Sequence, residues 1–252
     1  MTSTGETVPR IRGDGQAESA WRSSSWLGAL PRRDARDALR SVSRLVVVSP
    51  HPDDETLGCG GLIAEAAALG VPVEVISVTD GEACYADDPA WPSDRARAVR
   101  RRELQRALTT LGVAPAALTI LDVGDGRVGE RETELAVVLA PLLAADDVVL
   151  VTWRFDGHPD HEATGRATRA AASSVGARVM EYPVWAWHWL DPEQGDPRMQ
   201  GAVAWQLSAS ARAAKRVALE AFESQLARDG GAPILPDHVM ARFGRDFEVL
   251  LP

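Results

Sequence analysis

Lysine is almost missing from this chain. Lys215 is its sole example among 252 residues, and arginine carries the rest of the side-chain positive charge. Acidic residues outnumber basic ones, 36 to 27, for a net charge of -9. Such a balance excludes a broad electrostatic grip on nucleic acid or an anionic membrane, and mainly favours solubility. Abundant Arg and Ala beside so little Lys reads as the bias of a GC-rich genome, not as a phosphate-binding surface. Two cysteines, Cys59 and Cys84, are too few for a disulfide framework or a cysteine-rich zinc site. Cys59, between Gly58 and Gly60, reads first as a small residue packed under a loop, with a redox or ligand role as the alternative. No apolar run approaches the ~18 residues of a membrane span, and the polar stretch from Met1 to Ala20 lacks the apolar core of a secretion signal. A cytoplasmic protein is expected. Internal repeats and low-complexity tracts are absent, and Gly58-Cys59-Gly60-Gly61 is not a Walker-type phosphate loop.

What the chain does have is a repeated pattern. Residues 1–20 have the low hydrophobicity of a disordered tail, and Trp21 to Val42 suggests a short helical lead-in to a single domain over 21–252. From Arg44, short β-branched runs alternate with longer Ala-, Leu- and Arg-rich segments, the grammar of βαβ units. Strands are expected at 44–49, 72–79, 117–122, 147–153 and 178–182, with helices near 58–70, 94–112, 130–145 and 160–175. The strands are apolar without strict alternation, as in a parallel sheet covered by helices on both faces. After Tyr182 come a Trp-rich segment, a loop at 191–201, a strand at 203–208 and an amphipathic helix at 211–226. The fold class is therefore α/β: a Rossmann-like, three-layer arrangement with a mostly parallel twisted sheet and a C-terminal Trp-rich extension from about residue 183. Winding in the order 3-2-1-4-5 would place the loops after the first and fourth strands at the switch point, where open α/β sheets bind ligands.

Those two loops carry three of the five histidines. His51-Pro52-Asp53-Asp54-Glu55 follows the run Leu45-Val46-Val47-Val48, and His158-Pro159-Asp160-His161 follows Val148-Val149-Leu150-Val151. His51, Asp54 and His161 could supply a two-histidine, one-carboxylate set for a divalent ion, leaving a position open for water. Asp53 then stands beside the ion as a general base. His158, just before a proline suited to the first helical position, could as an imidazolium hydrogen-bond the oxyanion formed when water adds to a carbonyl. Asp160 could hold its tautomer and raise its pKa. Other readings of both loops are a turn with capping aspartates and a capped helix start. Asp80 is a turn residue or a wall of the site, Asp122 and Asp125 read as turn formers, and His238 as a surface histidine.

In these residues the chain resembles the LmbE-like, or PIG-L, family of metal-dependent N-deacetylases, whose hallmark is this pair of loops. The likeness runs from about Arg44 through Tyr182 and includes Thr79-Asp80-Gly81-Glu82 and Arg100-x-x-Glu103. It implies a Rossmann-like fold, a Zn2+ ion held by His51, Asp54 and His161, Asp53 as base and His158 as oxyanion partner. The activity it implies is removal of acetyl from an N-acetylglucosamine-type sugar. The same ligands accept Fe2+, Co2+ or Ni2+. Arg100 matches a family arginine that can reach a substrate hydroxyl or phosphate, although Arg100-Arg101-Arg102 also reads as a solvated helix face. Members acting in thiol biosynthesis or detoxification can carry an aromatic two residues before the oxyanion histidine, where this chain has Asp156. On a strand, Trp185, Trp187 and Trp189 would share one face and offer indoles to a sugar or aromatic aglycone; a hydrophobic wall or a dimer interface is the other reading. The expected partner is a small amino sugar or glycoconjugate, such as a glycosylated natural product, with no nucleic acid or membrane and with homo-oligomers left open. The alternatives are a mycothiol-type conjugate amidase and a non-catalytic metal-dependent sugar-binding protein, with a phosphoesterase as a weaker third.

Overall fold

The computed structural model describes residues 11–252. Among the described residues eight strands run β1 (Arg32–Asp34), β2 (Arg44–Ser49), β3 (Val73–Ser77), β4 (Leu118–Ile120), β5 (Asp147–Thr152), β6 (Arg178–Tyr182), β7 (Val203–Gln206) and β8 (Phe247–Leu250). The helices that frame the site are α1 (Asp54–Ala68), α2 (Ser93–Thr110), α3 (Glu132–Leu139), α4 (Pro159–Val175), α5 (Ala186–Trp189) and α6 (Ala209–Leu219). Five strands form one sheet in the order β4-β3-β2-β5-β6, every pair parallel. Counted along the expected strands, this is the order 3-2-1-4-5.

Alternation along each strand divides the core between the two faces. Leu45, Val47, Val75, Val148 and Leu150 pack with Leu57, Leu62 and Ile63 of α1 and Leu104 and Leu108 of α2. Val46, Val48, Ile76, Val149 and Val151 pack with Leu135 and Leu139 of α3 and with the alanines Ala163, Ala167 and Ala171 of α4. Both faces are thus dry, which is why the strands read as unbroken apolar runs. A smaller sheet, β1-β7-β8, pairs β7 in parallel with β1 and antiparallel with β8, and a bridge between Glu181 and Leu251 joins its end to the edge of the main sheet.

Several boundaries differ from expectation. The first helix starts at Asp54 rather than near 58, and the third strand is only Leu118–Ile120. Helix α3 is short because 3-10 turns flank it, the second containing Pro141. The helix expected at 211–226 is instead α6 and a separate turn at Glu223–Leu226. Of the expected tail, residues 1–10 lie outside the described residues, whereas 11–20 are held in place. Gln16 N–H donates to His188 O at 2.9 Å, and a helix spans Glu18–Ser23.

The Trp-rich segment is the main correction. It forms the single helical turn α5, not a strand, so its three tryptophans do not share one face and Trp187 is turned away from the other two. Trp187 is buried in the core, edge-on to Trp21 with ring centroids 5.0 Å apart, and its carbonyl accepts from Trp21 Nε1 at 2.8 Å. Trp189 Nε1 donates to Asp156 O at 2.7 Å. The cause is Asp156, whose carboxylate accepts the successive N–H groups of Val184, Trp185 and Ala186 at 2.8–2.9 Å and so curls the chain into a turn. Among the described residues no helix is long and apolar enough to cross a membrane.

Candidate active site

Strands β2 and β5 lie side by side in parallel, with β3 beyond one and β6 beyond the other. The loops leaving their carboxyl ends therefore meet at the switch point. In the first loop Asp53 adopts φ +132°, a region rare for a side-chain-bearing residue, while its carbonyl accepts Leu57 N–H at 2.8 Å to open α1. In the second, His158 is the N-cap of α4: its Nδ1 accepts Asp160 N–H at 3.2 Å, and Pro159 occupies the first turn.

These loops bring together three atoms able to ligate a metal. His51 Nδ1 lies 3.1 Å from Asp54 Oδ2 and 3.3 Å from His161 Nε2, and Asp54 Oδ2 lies 3.1 Å from His161 Nε2. Nitrogen and oxygen ligands about 2.0 Å from a tetrahedral ion stand roughly 3.3 Å apart, so the triangle fits one divalent ion. His51, His158 and His161 also offer ring nitrogens within 4.8 Å of one another.

The imidazoles of His51 and His161 are each held from behind by a carboxylate, the arrangement that fixes tautomer and ring orientation in metal sites. His161 Nδ1 lies 2.8 Å from Asp156 Oδ2. His51 Nε2 faces Asp160 Oδ2 at 3.2 Å and Asp125 Oδ1 at 3.1 Å, and Asp160 in turn accepts Gly126 N–H at 2.7 Å. The Asp160 carboxylate therefore serves His51, and only its backbone N–H touches His158. Burial lowers the pKa of both histidines, but the carboxylates outweigh it: His161 rises to about 9 through Asp54 and Asp156, and His51 rises through Asp125, Asp160 and Asp54. Burial works against Asp54, yet both histidines hold it well below the usual carboxylate range.

The remaining polar groups differ in kind. Burial pushes Asp53 up to about 7 against the pull of Arg100, whose Nη2 lies 3.2 Å from Asp53 Oδ2 and donates to Pro52 O at 2.6 Å. Burial and the neighbouring His161 and His51 push His158 down to about 3. In the metal-free fold this favours the neutral imidazole of His158 over the expected imidazolium, and with Nδ1 accepting a backbone N–H its hydrogen then belongs on Nε2. His51, Asp53, Asp54, Arg100, Asp125 and His158 line one cavity of about 340 Å3, with Leu57, Trp185, Ile234 and Leu235 as its apolar wall. Asp80 is absent from that lining. It is buried in a two-pronged ion pair with Arg101, at 2.6 and 2.7 Å, and braces α2 from behind. Arg100 is buried, not solvated, and Trp187 also lies away from the cavity.

Two residues of this cluster escape a reading of the sequence. Asp156 was notable only as the place of an aromatic, and Asp125 resembled any turn aspartate between glycines; a carboxylate five residues ahead of a ligand histidine was the available signal for the first.

The sequence profile of PIG-L, described as GlcNAc-PI de-N-acetylase, matches residues 46–172, just over half of the chain. The chain belongs to the PIG-L family. Among curated relatives, a 1D-myo-inositol 2-acetamido-2-deoxy-alpha-D-glucopyranoside deacetylase of Rhodococcus jostii is 32% identical over 57% of this chain and 57% of its own length. A probable N-acetyl-alpha-D-glucosaminyl L-malate deacetylase 2 of Bacillus anthracis is 31% identical over 54% of this chain and 62% of its own. The chain thus spans a little over half the length of the curated relatives it matches. Among solved structures, a conserved protein of Thermus thermophilus aligns with TM-score 0.59 at 26% identity, covering 84% of this chain and 94% of that one. The zinc-inhibited form of the teicoplanin deacetylase Orf2 aligns with TM-score 0.65 at 22% identity, covering 83% and 97%, a likeness of fold alone. The PIG-L domain holds both histidine loops. Trp185, Ile234 and Leu235 of the cavity wall come from beyond it.

Proposed function

We propose that this PIG-L protein is a metal-dependent amidohydrolase that removes the acetyl group from an N-acetylglucosamine-type amino sugar, with zinc as the resident ion held by His51, Asp54 and His161. The observation that carries the reading is the 3.1–3.3 Å triangle of His51 Nδ1, Asp54 Oδ2 and His161 Nε2 beside a cavity that Asp53 and His158 share. A divalent ion bound there would supply Lewis acidity toward the amide carbonyl and toward water. Asp53, with a pKa near the working pH, takes a proton from water as its oxygen adds to the carbonyl carbon. His158 Nε2–H donates to the oxyanion, a role that needs a hydrogen and not a charge. The C–N bond then breaks, the proton held by Asp53 passes to the amine nitrogen, and acetate and free amine leave. Arg100 holds Asp53 in place, with its Nη2 3.2 Å from Asp53 Oδ2.

The volume of about 340 Å3 is near the small end of ligand pockets and suits one sugar ring with its acetamide, the remainder of a conjugate lying outside. The names of the relatives, all deacetylases of acetamido sugars or their conjugates, support the bond more than the acceptor. Incubating metal-loaded and chelated protein with N-acetylglucosaminyl compounds, from the free sugar to glycopeptide conjugates, and assaying free amine and acetate tests the proposal. Release that requires metal is expected. Metal-bound protein that binds sugar without releasing acetate would instead establish the sugar-binding alternative.

A further inference from the structure

Helix α1 is broken at Cys59, which has φ -144° and ψ 21° within an otherwise helical run. The run of glycines permits this: a Cβ on Gly58 would come within 2.1 Å of the Tyr182 ring, and one on Gly61 within 2.3 Å of Leu207, so the helix is pressed close to both neighbours. The break leaves backbone groups to be satisfied in a dry interior. Gly61 N–H, which in a continuous helix would meet Leu57 O, donates to Glu248 Oε1 at 2.8 Å, and Leu62 N–H donates to Glu248 Oε2 at 2.9 Å. Leu57 O accepts from Lys215 Nζ at 2.8 Å, and the same Nζ lies 2.7 Å from Glu248 Oε1. An ion pair has been inserted where a backbone hydrogen bond would be.

We propose that Lys215 of α6 and Glu248 of β8 are positioning residues for the metal centre, holding the first turn of α1 at the angle that turns Asp54 toward His51 and His161. This rests on the ligand set argued above. Both residues are nearly inaccessible, and two buried charges in such a place contribute little to stability by themselves. What they supply is direction. Ahead of the break lie Asp54 and the cavity-wall residue Leu57; behind it lies a helix packed on the main core. Both residues of the pair lie outside the matched PIG-L segment, so the C-terminal part of the chain reaches into the geometry of the histidine loops.

The test is competition for zinc between a chelator and the full chain, comparing the unaltered protein, Lys215→Met and Glu248→Gln. The control is Arg44→Met, which breaks the ion pair with Asp147 at the opposite, amino end of β2 and β5. Zinc affinity should fall by roughly tenfold or more in the first two variants, as for loss of an outer support of a metal ligand, and stay unchanged in Arg44→Met at a comparable loss of Tm. Glu248→Gln retains an acceptor for one amide and serves alone if Lys215→Met does not fold. Unaltered zinc affinity in the pair variants, or an equal loss in the control, overturns the proposal and leaves the ligand set standing. If the unaltered protein binds no zinc, the ligand set itself falls and this inference with it.

Discussion

Asp156 Oδ2 lies 2.8 Å from His161 Nδ1 while the same carboxyl group receives the backbone N–H groups of Val184, Trp185 and Ala186. One buried side chain therefore orients the His161 imidazole and sets the turn that puts Trp185 on the cavity wall. Replacing it by Asn removes the charge behind His161 and leaves at best one acceptor for three amides. Asp156→Asn should lower metal affinity by about 10–100-fold in chelator competition and alter the tryptophan environment in near-UV circular dichroism. Metal affinity equal to that of the unaltered protein would show that the carboxylate does not support the ligand.

Asp53 lies beside the ligand triangle without belonging to it, so binding and turnover should separate there. Asp53→Asn is expected to retain metal while acetate release falls by about 10²–10⁴-fold, the usual contribution of a positioned base. His161→Ala, by contrast, removes a proposed ligand, and elemental analysis should find it depleted of metal. Ordinary turnover in Asp53→Asn would sink the assignment of the base.

The main sheet was legible because both of its faces are buried: Leu45–Val48 and Val148–Val151 read as interior strands, and the order 3-2-1-4-5, assumed from the commonest winding, is the one observed. The three proposed ligands were legible because two short loops carry them in full. The carboxylates behind them were less so: Asp156 and Asp125 reach their histidines through turns that leave no periodic trace, and Asp160, expected to serve His158, faces His51 instead. The Trp segment misled for a related reason. Alternating tryptophans satisfy a strand pattern, but three amides gathered on one carboxylate outweigh that local preference.

Those tryptophans should respond differently to truncation. Trp187 is a core residue packed on Trp21, and Trp187→Ala should cost about 3–5 kcal/mol of unfolding free energy. Trp185 is half-buried on the cavity wall, so Trp185→Ala should change stability little and raise KM. Denaturant titration beside steady-state kinetics separates the two. Equal losses of stability would place Trp185 in the core as well.

The protonation of the cluster gives a pH dependence with a definite sign. In the metal-free fold His161 is raised to about 9 and His51 is raised too, so their contribution to stability is complete below the unfolded value of ~6.5 and is lost as pH rises through about 9. Asp53, raised to about 7, acts in the same direction, its contribution fading from above ~3.9 through about 7. Asp54, lowered, contributes above ~3.9 and loses that only as the solution becomes acidic. The Tm of chelated protein should therefore fall between pH 6.5 and 9. A metal held by His51 and His161, as proposed, must displace their protons, so binding at pH 7 should release roughly one to two protons per ion, and affinity should climb with pH until about 9. Calorimetric titration of zinc in buffers of different ionisation enthalpy counts those protons. A count of zero at pH 7 would mean that the ligand nitrogens are already free, and the carboxylates behind them would then be orienting neutral rings.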